Sequence, residues 1–184
     1  MATEFEYKAI LKNANALIDL YGQTARPVAL IEQIYTKGGA RFRRIHNGRY
    51  GEPFVQAPRH LFTYKESIGD DVLEMEMAAS RRDFLLAHDA VKLSMIKYRF
   101  KEFADVGTWD VDFQISALSG GEILFAMAEY ETTKGSAPVI APGLEPFIDF
   151  IVPIEDNKYF SNYRLCDPAY ARIAVAEYKK VKGL

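Results

Sequence analysis

Charged residues recur two apart along this chain, with apolar or aromatic residues between them. Glu4, Glu6 and Lys8 alternate with Phe5 and Tyr7. Arg41 and Arg43 flank Phe42, Glu74 and Glu76 flank Met75, and Lys97 and Arg99 flank Tyr98. Asp110 and Asp112 flank Val111, Glu129 and Glu131 flank Tyr130, and Lys65 follows Thr63 at the same spacing. Successive side chains of a strand alternate faces, so each pair shares one face. A solvated sheet face explains any single pair, since antiparallel sheets commonly have one wet side. It explains the whole series less well, because exposed faces mix in Thr, Ser and Gln. A closed barrel with its charges inside would bring all the pairs together. Such charges are costly unless paired or liganded. Acids alone would suit a calcium or magnesium site, and bases alone an anion. Both together suit a polyphosphate carried with its metal. Arg and Lys take phosphate oxygens. Carboxylates take Mg2+ or Mn2+, hard cations that also bridge to phosphate.

The elements that must position these pairs are mostly strands. Glu4 to Ala9 alternates like a half-buried strand. Leu11, Ala14, Leu17, Ile18 and Tyr21 share one helical face, and Gly22 is the stop. Strands are expected at 28–36 and 40–46, with a turn at Asn47-Gly48. Residues 49–59 form a loop, and 61–67 and 72–78 a strand pair about Gly69-Asp70-Asp71. Ser80 and Asp83 resemble a capping box for a helix to about His88. Strands at 93–103, 108–117 and 122–132 follow, the last two joined at Ser119-Gly120-Gly121. Leu144, Phe147, Ile148 and Ile151 are spaced as a helix with Pro146 in its first turn. Asp167 and Pro168 open a C-terminal helix over about 168–182. The expected architecture is α+β: a closed antiparallel β-barrel of about eight strands with helices packed outside.

Composition narrows the classes. The 184 residues suit one domain, 1–184. A net charge of −2 gives no reason to expect general binding to nucleic acid or to a membrane surface. No apolar run nears the ~20 residues of a membrane span, and the N-terminus lacks a secretory pattern. Cys166 is the lone cysteine, which makes a reducing, cytoplasmic setting the expectation. The apolar outer face is expected to be covered by helices or by the partner subunit of a homodimer.

Glu4-Phe5-Glu6-Tyr7-Lys8 resembles the ExExK signature of the CYTH, or triphosphate tunnel metalloenzyme, superfamily. In order along the chain, Arg41-Phe42-Arg43 is similar to its RxR, Thr63-Tyr64-Lys65 to its TxK and Glu74-Met75-Glu76 to its next ExE. Lys97-Tyr98-Arg99 is similar to its KxR, Trp109-Asp110-Val111-Asp112 to its WxVD and Glu129-Tyr130-Glu131 to its late ExE. Residues 158–162 are similar to the Tyr/Asn-rich close of bacterial inorganic triphosphatases of that family. The resemblance implies a tunnel barrel acting on triphosphates with Mg2+ or Mn2+. Carried over, Lys8, Arg41, Arg43, Lys65, Lys97 and Arg99 would hold phosphates. Glu4, Glu6, Asp112, Glu129 and Glu131 would serve metals. Glu4, Glu6, Lys8 and Glu76 would be catalytic.

The leading expectation is metal-dependent hydrolysis of a triphosphate, inorganic or nucleoside. A class IV adenylate cyclase, making cyclic AMP from ATP, is one rival. A non-catalytic nucleotide-binding protein is another. His46, His60 and His88 lie in no metal-ligand spacing and are expected to be structural or exposed. Cys166 is expected to be inert. Neither Gly38-Gly39 nor Gly120-Gly121 opens a P-loop.

Overall fold

The computed structural model describes residues 4–36, 40–68, 71–90, 93–116, 121–133 and 136–184, with only the backbone at 4, 65–68, 71–73 and 133. The expected turns at Gly38-Gly39, Gly69-Asp70 and Ser119-Gly120 lie outside the described residues. Among the described residues, nine strands form one antiparallel sheet: β1 (Glu4–Leu11), β2 (Pro27–Tyr35), β3 (Arg41–Arg49), β4 (Arg59–Ile68), β5 (Asp71–Ala78), β6 (Ser94–Phe103), β7 (Thr108–Ile115), β8 (Ile123–Thr133) and β9 (Ile148–Val152). Their spatial order is β5-β4-β3-β2-β6-β7-β8-β1-β9. The helices are α1 (Ala14–Gln23), α2 (Arg81–Ala90), α3 (Asn162–Leu165) and α4 (Pro168–Lys182).

Among the described residues the sheet does not close, which corrects the expected barrel. β5 and β9 are its free edges. Two-residue alternation fixes which face a side chain takes, not whether the outer strands meet; closure needs matching tilt and stagger. β5 is exposed on both faces from Glu74 to Ala78, as an unpaired edge should be.

Two local expectations also fail. Asn47 and Gly48 do not turn but continue β3, paired with Ala29 and Val28. Gly48 serves a close approach instead: a Cβ there would stand 2.9 Å from the Phe54 ring. The helix expected over 144–151 is a 3-10 turn at Glu145–Phe147 followed by β9. Ile148, Phe150 and Val152 turn inward at period two, and β9 takes the side of β1 left free by β8.

Helices cover both faces, not only an outer one. On the apolar face, Leu17, Ile18 and Tyr21 of α1 pack with Phe100, Val111, Phe113 and Ala128. Trp109 is fully buried there, its indole N–H donating to the Val139 carbonyl at 2.7 Å. On the charged face, Phe160, Leu165, Ala171 and Tyr178 pack on Ile10, Met95, Phe125 and Met127. Asp167 caps α4 by accepting from the Ala169 and Tyr170 N–H groups, with Pro168 in the first turn.

Candidate functional site

Cross-strand register puts the charge pairs on a single face of the sheet. Lys8 stands opposite Glu129, and Glu6 opposite Glu131. Glu129 faces Asp110 on its other side, and Asp112 and Asp110 face Arg99 and Lys101. Across β2, Arg41 and Arg43 face Tyr35 and Gln33. Arg41 then faces Thr63, which faces Glu76. Two banks of charge result, separated by the uncharged Gln33 and Tyr35 that β2 presents to this face. β6 and β3 flank β2, so the banks stand roughly 10 Å apart at the backbone, two strand spacings.

The first bank is buried and continuously paired. Lys8 Nζ lies 2.7 Å from Glu6 and 3.1 Å from Glu129. Arg99 grips Asp112 with two bonds of 2.6 Å. It also reaches Asp110 at 2.8 Å and Glu129 at 2.7 Å. Lys97 bonds Asp112 at 2.5 Å and the Asn162 side-chain oxygen at 3.2 Å. The side chains of Lys97, Asp112, Lys8 and Glu129 are all under one-tenth exposed. Such a cluster persists only because every charge has partners. Burial pulls Lys8 down, but Glu129 and Glu6 outweigh it and hold its pKa above the ordinary value. Burial, then Arg99, lowers Lys97 despite Asp112. Burial would raise Glu129, but Lys8, Lys97 and Arg99 hold its carboxyl well below the usual range.

The second bank is more open. Arg41 lies 3.5 Å from Glu74. Arg43 pairs with Glu76 and donates to Thr63 at 3.3 Å. Burial, Arg41 and Arg99 together bring Arg43 down to about 10. The repulsion felt from Arg99 reaches across β2, so the two banks share one field. The Nε atoms of Arg41 and Arg43 are buried without a hydrogen-bond partner. Burial pushes the neighbouring Tyr35 hydroxyl up to about 12.

Of the expected site residues, Glu6, Lys8, Lys97, Arg99, Asp112 and Glu129 come together in the first bank. Arg41, Arg43 and Glu76 meet in the second. Glu131 is exposed, opposite Glu6. Glu4 and Lys65 lie on β1 and β4, but their side chains are outside the described residues. Lys158 lies near the Tyr159 ring and acts on Asp156, on the C-terminal segment. Asn162 and the Phe160 carbonyl, which accepts from Lys8 at 3.4 Å, were not singled out by spacing. Asp110 showed the same two-residue spacing as Asp112, and that signal was available.

No group of three or more His, Cys, Asp or Glu side chains is arranged to hold a metal ion among the described residues. The carboxylate donors suit Mg2+ or Mn2+ chemically, but those of the first bank are each held by a Lys or Arg. As arranged, they do not fit a waiting metal. A cleft of about 480 Å³ lies against α1, lined by Asn15, Asp19, Tyr50, Tyr98 and Glu122. It has two carboxylates and no base among those residues, so it does not suit a triphosphate.

No family model matches the chain, and no curated protein matches it in sequence. Solved structures similar in shape include the following two. One is a proposed adenylate cyclase from Bacillus halodurans, at 15% identity and a TM-score of 0.46, covering 72% of this chain and 82% of that one. The other is from the Schizosaccharomyces pombe Mediator head module, at 9% identity and a TM-score of 0.42, covering 98% and 94%. No helix among the described residues is long and apolar enough to cross a membrane.

Proposed function

We propose that the charged face binds a triphosphate, carried with Mg2+ or Mn2+, and hydrolyses its terminal phosphoryl group. The chain would then be an open-sheet relative of the triphosphate tunnel metalloenzymes. One observation carries this: Lys8, Lys97, Arg99, Arg41 and Arg43 share one face in two banks that an elongated polyanion can bridge. Phosphate oxygens replace the carboxylates now held by the bases. Arg43, turning to phosphate, releases Glu76, which is 42% exposed. The freed carboxylate takes a proton from the attacking water, and the basic residues stabilise the charge spread over the phosphoryl oxygens. Water adds to the terminal phosphorus, the anhydride bond breaks, and diphosphate and phosphate leave.

Binding without turnover is a second reading, favoured by the full internal pairing of the first bank's acids. One assay separates these. Inorganic triphosphate, ATP and thiamine triphosphate are incubated with and without Mg2+ or Mn2+, and the products resolved. Phosphate release supports the hydrolase. Cyclic AMP with pyrophosphate means a cyclase, and calorimetric binding without product means a binder. Neither binding nor product with any of the three would sink the proposal.

A further inference from the structure

All three histidines lie about the seat of α2, on the face opposite the charge banks. The anchor is Phe84 of α2, which is 1% exposed. Its ring lies 5.6 Å from that of His60 on β4 and under the Arg44 guanidinium of β3 at 5.2 Å. His46 and Arg44 face the cluster from β3, and Arg81 acts on His60 from α2. Glu32 of β2 is the acid at its centre, paired with Arg44 and 3.8 Å from His88. The acids of α2 turn elsewhere: Asp83 bonds Ser80, and Asp89 is 84% exposed beside His88. His60 Nε2, His46 Nδ1 and Arg44 Nε are buried without hydrogen-bond partners. The His60 carbonyl accepts from Ala79 N–H at 2.9 Å, tying this point to the link between β5 and α2.

We propose that this seat is an acid-sensitive latch, in which protonating His60 among Arg44, Arg81 and His46 loosens α2 and the end of edge strand β5. A proton on His60 adds a charge where cations already outnumber Glu32. Burial, then Arg44, Arg81 and His46, hold His60 below its ordinary value of 6.5. A depressed histidine favours the neutral form in the fold. Its stabilisation is therefore complete above the unfolded value and lost as pH falls through the folded one. The consequence reaches the charged face, because β5 supplies Glu74 and Glu76 to Arg41 and Arg43.

Hydrogen exchange read by mass spectrometry tests this between pH 5 and 8, corrected for intrinsic rates. Residues 71–90 of the wild type lose protection on acidification while 168–182 do not. In His60→Gln that dependence disappears. A flat wild-type profile, or an equal dependence in His60→Gln, overturns the latch. Should His60→Gln not fold, the ring titration of His60 in the wild type decides. A value at or above the ordinary one overturns the latch; a lower value, raised by Arg81→Gln, supports it.

Discussion

Glu129→Gln separates the two jobs that a buried carboxylate could have on the charged face. Glu129 accepts from Lys8 at 3.1 Å and from Arg99 at 2.7 Å, with 8% of its side chain exposed. Glutamine keeps the shape and one acceptor but removes the charge. Removing one partner of a buried pair costs about 3–5 kcal/mol. Lys8 keeps Glu6 at 2.7 Å, and Arg99 keeps Asp110 and Asp112, so the lower end, about 3 kcal/mol, is expected. With a denaturant slope of about 2 kcal/mol/M, the urea midpoint falls by about 1.5 M. The variant stays folded if the parent has a stability of about 5–15 kcal/mol.

Binding should move the other way. A unit negative charge roughly 8 Å from a phosphate opposes it by about 2 kcal/mol at an effective dielectric of about 20. Relief of that opposition is a gain of roughly 30-fold, and salt screening leaves at least tenfold. Calorimetry with inorganic triphosphate in a metal chelator measures it. A folded Glu129→Gln that binds metal-free triphosphate no better than the parent, or worse, would refute the assignment of Glu129 as an internal counterion.

Arg43→Met should weaken triphosphate binding at least tenfold by calorimetry, yet shift the urea midpoint little, since its partner Glu76 is 42% exposed and such pairs contribute about 0–1 kcal/mol. Because Glu129 is held below its ordinary value, the stability it supplies is full above about pH 4.5 and lost as pH falls further; acid titration by circular dichroism should be less steep for Glu129→Gln than for the parent. Tyr178→Phe removes a 3.0 Å bond to Asp156 and should cost about 1 kcal/mol, read as a few degrees in Tm with triphosphate binding unchanged by calorimetry.

The strands that carry charge were the most legible part of the chain. Alternation at Lys97-Tyr98-Arg99 names both the strand and its faces, because period two admits no other regular element. The spacing of 144, 147, 148 and 151 misled for a physical reason. It matches a helix over a short window, yet β1 had an unpaired side, and strand pairing there satisfies backbone groups a helix would have kept to itself. Asn47-Gly48 misled because glycine answers two needs, and here the need was room for Phe54, not a turn. The histidine seat was invisible in spacing, since His46, His60 and His88 come from β3, β4 and α2 and meet only through packing.

The first bank is electrically closed on itself, which limits what can open it. Lys8, Lys97 and Arg99 are each satisfied by carboxylates at 2.5–3.1 Å. A single phosphate offers little that Glu129 or Asp112 does not already supply, because it must first leave water and then displace a covalently tethered acid. A triphosphate brings several charged groups on one chain, and each contact made raises the effective concentration of the next. It also reaches Arg41 and Arg43, whose unpartnered Nε atoms and mutual repulsion leave the second bank wanting anionic oxygens. Entry through the open second bank, followed by exchange of carboxylate for phosphate in the buried first bank, is the order that this asymmetry favours. On the proposed reading the acids would act as counterions that keep the bases in place until a ligand of sufficient charge arrives. On the proposed reading, Glu76, whose side chain is 42% exposed beside Glu74 at 37%, would be the carboxylate released when Arg43 turns to phosphate.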